Sequence, residues 1–149
     1  MLARAVAIAT TLAALMACST GPDSGDLRAA RARWADTNSQ NYEMTVQRLC
    51  FCGSIDPIRI RVEAGRVVSR TNTVTSQPLD AGQTALYPDV PGLFDLVEDA
   101  YHRAFKVAVT FDAQYGFPQE TVIDYIGNAV DDELTLRVTA FSSLPLPQS

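Results

Sequence analysis

Ile58-Arg59-Ile60-Arg61-Val62-Glu63-Ala64-Gly65-Arg66 is the stretch whose reading decides the fold class. Its apolar residues alternate strictly with charged ones, the period of a strand with one face on a core and the other in water. Ala64-Gly65 reads as a two-residue hairpin turn into a second strand over 66–74. Upstream, Tyr42, Met44 and Val46 alternate in the same way, but Leu49 and Phe51 fall on the opposite parity. A bulge near Gln47–Arg48 is expected to restore one buried face. Before that strand, 26–36 reads as a helix with Leu27, Ala30 and Trp34 along one stripe, ended by the polar run 37–41.

Downstream, 76–89 contains Pro78, Gly82 and Pro88 without a clean period and reads as a long exposed loop. A second helix is capped by Asp89 or Val90, carries Pro91 in its first turn, and shows a stripe of Leu93, Phe94, Val97, Ala100, Tyr101 and Ala104. Phe105, Val107, Val109 and Phe111 then alternate with Lys106, Ala108 and Thr110. A turn over 113–118, a strand over 120–126, a Gly127-Asn128 turn and a strand through Leu134, Leu136, Val138 and Ala140 complete the pattern. The order helix–three strands occurs twice, with Pro57 and Pro118 at comparable places. It predicts an α+β fold in which an antiparallel sheet of about six strands carries two helices on one face.

The first seventeen residues read differently. Arg4 precedes an apolar run that closes on Leu15-Met16-Ala17-Cys18, the pattern of a bacterial lipobox. Val6–Met16 is shorter than the ~20 apolar residues of a membrane span and fits a signal peptide. A plain secretory signal and an uncut anchor are the rival readings. Leu15, three residues before Cys18, suits a lipoprotein cut better than an Ala-x-Ala-like site. The expected organisation is a signal peptide over 1–17, a lipidated Cys18, a tether over 18–25, one domain over 26–141, and a flexible tail over 142–149. The expected location is the cell envelope, lipid-anchored on the extracytoplasmic side of a membrane. Ser19 gives no acidic retention signal after Cys18, which favours the outer membrane in a Gram-negative host.

Removing the signal leaves eleven basic and seventeen acidic residues. Such a domain gains nothing from a phosphate backbone, which argues against nucleic acid as a partner. The 47% hydrophobic content supports a folded domain. With Cys18 lipidated, Cys50 and Cys52 remain as a close pair. A disulfide requires the chain to bend there, since residues two apart in a straight strand lie near the upper distance limit for a bridge. The alternatives are a thiol redox pair, a soft-metal site and two free thiols. A zinc site wants four ligands, and His102 is the sole histidine, so no metal or cofactor is assigned. The single histidine also excludes most hydrolytic triads, and no catalytic residue is named. Asp112, Asp124, Asp131, Asp132 and Glu133 gather near two turns, without EF-hand spacing. An uninterrupted two-residue hairpin sets Arg59 across from Arg70 and Arg61 across from Val68. That puts Arg59, Arg61 and Arg70 on one sheet face as a candidate binding surface for an anionic partner, with neutralisation by Glu43 and Glu63 as the plainer reading.

Several of these residues together resemble a known bacterial family. Tyr42, Cys50-Phe51-Cys52, Glu63-Ala64-Gly65-Arg66-Val67, Leu93-Phe94 and Val109-Thr110-Phe111-Asp112 belong to the resemblance. Tyr115-Gly116-Phe117-Pro118, Ile123-Asp124 and Asp131-Asp132-Glu133 complete it. The chain is similar over about residues 30–141 to the domain of unknown function 6174, often found in small lipoproteins. The resemblance implies one domain in a secreted or lipid-anchored setting and assigns no role to any residue. The functional expectation is a non-enzymatic binding domain with a protein or envelope partner. The alternative is a thiol redox or soft-metal protein that uses Cys50 and Cys52.

Overall fold

The structure is a computed structural model that describes residues 24–50, 56–129 and 132–145. Its elements are α1 (Ser24–Asp36), β1 (Tyr42–Leu49), β2 (Ile58–Glu63), β3 (Arg66–Asn72), a 3-10 helix (Ala81–Leu86), α2 (Val90–Arg103), β4 (Lys106–Phe111), β5 (Pro118–Asp124) and β6 (Glu133–Ser143). The strands form one antiparallel sheet in the order β3-β2-β1-β6-β5-β4. The α+β class, the sheet and the twofold helix–three strands order are as the periodicity predicts.

Both helices cover the same face. Leu27 and Ala30 of α1, and Val90, Leu93, Phe94, Val97 and Ala100 of α2, are buried with Tyr42, Met44, Val46, Ile58, Ile60, Val62, Ile123, Leu134, Leu136 and Val138 of the sheet. Asp89 is the N-cap of α2, its carboxylate accepting the Gly92 N–H at 3.1 Å, which satisfies one orphan donor of the first turn. The helices run antiparallel. Arg31 pairs with Asp95 and Glu98 at 3.2 and 2.9 Å, and Trp34 packs edge-on against Tyr42, whose hydroxyl accepts the Val90 N–H at the start of α2.

Although the element order repeats, the two halves are not copies related by a rotation. Carrying β1-β2-β3 onto β4-β5-β6 requires a sideways shift with reversed strand direction, which turns the sheet over. The second helix would then lie on the opposite face, whereas it lies beside the first.

Several boundaries and faces differ from the sequence expectations. No bulge occurs at Gln47–Arg48. Thr45 instead pairs with Ala140 and Val46 with Val138, so the extra residue is Thr139 on β6. Arg48, opposite buried Leu136, therefore lies on the helix side, and Leu49 points away. The segment 76–89 is not irregular throughout: it pairs with β3 through Thr71 and Pro78, then winds into the 3-10 helix. β6 runs to Ser143, two residues into the expected tail, because Ser142 and Ser143 pair with Glu43 and Tyr42. α1 begins at Ser24, inside the expected tether. Phe105 leads into β4 but stays out of the core at 71% exposure, its ring lying on Gly127.

Candidate functional site

The three arginines singled out from the hairpin do not share a face. Ala64 and Gly65 both adopt positive φ, 48° and 73°, and close a two-residue turn with Glu63 opposite Arg66, as expected. Val62 then pairs with Val67, but Arg61 pairs with Ser69, so Val68 is an extra residue bulged from β3. One inserted residue moves every later side chain to the other face. Arg70 consequently lies opposite Ile60 on the helix side, where its Nε donates to the Tyr87 carbonyl at 2.9 Å. It ties β3 to the end of the 3-10 helix. Arg59 and Arg61 do share the open face, yet each is paired there, with Glu43 at 3.5 Å and Glu63 at 2.7 Å. The expected patch of three cations is thus two neutralised arginines and one strut.

The same bulge builds a different feature. Asn72 N–H donates to Gln77 O and Leu79 N–H to Arg70 O, both at 2.9 Å, so the returning chain covers the C-terminal half of the β3 edge. The chain then departs into the 3-10 helix. A cavity of about 420 Å³ opens there, lined by Val67, Val68, Ser69, Arg70, Thr71, Pro78, Leu79 and Thr84. Val68 is 52% exposed at its rim, and Leu86 is exposed on the 3-10 helix. An edge strand flanked by an apolar cleft can accept an extended chain by main-chain pairing, with side chains seated in the cleft. The sequence does carry a trace of this site: Val67-Val68 breaks the alternation that β2 keeps.

Other candidates fall elsewhere. His102 lies in the last turn of α2 and lines a groove of about 370 Å³ with Leu27, Arg28, Arg31, Glu98 and Tyr101. Arg31 there is held by its two carboxylates and stands 5.2 Å over the Phe94 ring. The Asp112 carboxylate accepts the Gln114 and Tyr115 N–H groups at 2.9 and 2.6 Å, which makes it a turn cap. Asp132 accepts the Ile126 N–H, and Lys106, Asp124 and Glu133 stand in register on the outer face. Among the described residues, no three His, Cys, Asp or Glu side chains gather as metal ligands. Cys50 follows β1, while Cys18, Cys52 and Asp131 lie outside the described residues.

Tyr115-Gly116-Phe117-Pro118 has a packing role. Tyr115 and Phe117 each lie 4.7 Å from the Phe141 ring, and Trp34 meets Phe117 and Phe141 edge-on. Burial pushes the Tyr42 hydroxyl, stacked at 5.5 Å on Phe141, well above the usual phenol range. The aromatic cluster joins α1, the β4–β5 turn, β1 and β6.

The chain is similar over 86% of its length to a solved structure described as the crystal structure of MucB, at 12% identity and a TM-score of 0.40, and spans 62% of that structure's chain. No curated protein matches it. A family described as being of unknown function (DUF6174) matches residues 26–143, from the third residue of α1 to the end of β6, and the chain belongs to that family.

Proposed function

We propose that this protein is a lipid-anchored envelope protein whose domain is a binding module. The observation that carries the binding reading is the cleft beside β3, where an exposed apolar residue, an incompletely covered strand edge and a ready-made cavity coincide. Its partner on this reading is an extended segment of another envelope protein, paired along Arg66–Ser69 and seated against Val68 and Leu79. The anchor rests on Leu15-Met16-Ala17-Cys18, which places the lipid on Cys18 and the domain outside the cytoplasm, at the outer membrane in a Gram-negative host. Two or three acyl chains, at about 0.8 kcal/mol per buried methylene, hold such a domain stably. Cys50 and Cys52 form a local disulfide in that oxidising compartment, where the chain leaves β1.

The test is a photo-crosslinking amino acid placed at Val68 or Leu79 of the full chain in living cells. A discrete protein adduct at both positions, absent at Thr110 on the outer face of β4, is the expected result. Adducts equally frequent at all three positions, or none at any, overturn the assignment of the cleft. The mass of mature Cys18 checks the anchor separately.

A further inference from the structure

We propose that the end of the domain carrying Phe105 and Ile126 rests on the membrane and inserts these two side chains into the lipid interface. The inference builds on the reading of Cys18 as the lipidated residue, and its own support is the direction of the helices. Arg31 of α1 pairs with Asp95 and Glu98, and Leu27 and Arg28 share a groove with Tyr101 and His102. α1 therefore begins beside the last turn of α2. Cys18 precedes Ser24 by six residues, a reach of at most about 20 Å even when fully extended. A lipid on Cys18 therefore keeps the start of α1, and with it the end of α2, within about 20 Å of the bilayer.

That end presents apolar groups. Phe105, two residues beyond α2, is 71% exposed, and Ile126, in the β5–β6 connection, is 61% exposed. They are neighbours in space, because the Phe105 ring lies on Gly127, the residue after Ile126. Phe105 has the parity of Val107 and Val109, whose side chains face the helices, so the pattern would allow it a place in the core; instead it projects past the end of α2. The charges around it are mixed: Arg103 is held by Asp99, and Lys106 stands in register with Asp124 and Glu133. Such an end gains little from anionic headgroups, which points to a zwitterionic interface entered by apolar contact.

The test uses the lipidated full chain in phosphatidylethanolamine-rich vesicles whose acyl chains carry bromine, a tryptophan quencher. Trp34 serves as an internal reference, since it packs among Tyr42, Phe117 and Phe141 at the far end of α1. Phe105→Trp and Ile126→Trp are each compared with Val68→Trp, an exposed site near the β2–β3 turn. Quenching at 105 and 126 should exceed that at 68 by at least about twofold, as for side chains seated ~5–10 Å into the headgroup–acyl boundary. It should also persist at high salt. Excess at one of the two sites alone overturns insertion of the pair. Equal quenching at all three sites overturns it, and so does the absence of any excess at 105 and 126, whether that end is bare or covered by a second copy or a protein. Intact mass separates the two failures: an unlipidated Cys18 removes the anchor and this inference together, whereas a lipidated chain without the excess removes this inference alone.

Discussion

At the residue scale, Gly116 shows how one position can tie a turn to a helix. Its φ of 85° lies in the left-handed region, and a Cβ there would stand 2.5 Å from the Ala30 carbonyl oxygen and 3.0 Å from the Arg33 Cβ. Backbone strain of about 1–2 kcal/mol adds to an overpacking cost of similar size. Gly116→Ala should therefore destabilise the domain by about 2–4 kcal/mol, read as a lowered denaturant midpoint. The turn was legible in the sequence; the contact with α1 was not, because Ala30 and Arg33 lie more than eighty residues away in the chain. Phe105 gives the converse lesson. Its parity matched the buried face of β4, but the strand begins only at Lys106, so no sheet neighbour holds its ring over the core.

At the scale of elements, local chemistry set the helix ends well. Asp89 caps α2 through the Gly92 N–H, whereas Asp80, before the 3-10 helix, makes no side-chain cap bond. Asp89→Ala should cost about 1 kcal/mol, while Asp80→Ala should stay within about 0.5 kcal/mol. Paired urea titrations check both, with an unchanged slope showing that only stability has moved. Strand faces were less legible. Each of β3 and β6 holds one extra residue, Val68 and Thr139, and neither position carries a glycine or proline to announce it. The bulge at Val68 sends Arg70 to Tyr87, a partner seventeen residues on. This is why the basic patch expected from simple pairing dissolved and a cleft took its place.

At the scale of the whole molecule, Tyr42 links the layers: it belongs to β1, packs on Trp34 of α1 and Phe141 of β6, and accepts the first free N–H of α2. Burial raises its ionisation above that of an unfolded tyrosine, which titrates near pH 10.0. The folded state then holds a proton that the unfolded chain gives up, so this stability is complete below about pH 10 and is lost as pH rises beyond it. Tyr87 is shifted in the same direction by its own burial. Thermal melting at stepped pH should show a steep alkaline fall in the parent and a shallower one in Tyr42→Phe. That variant should also be less stable at neutral pH by about 1–2 kcal/mol, because the Val90 N–H loses its acceptor. The sequence by itself determined the order of the strands and α-helices, the Ala64-Gly65 turn, the start of α2 and the alternating core, since each follows from neighbours a few residues apart. Only the tertiary structure decided which side chains share a face, that the two halves are not rotated copies, and where the cleft and the Phe105–Ile126 end lie. A single inserted residue changes local energy little yet turns the rest of its strand over, and the contacts that settle the choice come from distant parts of the chain.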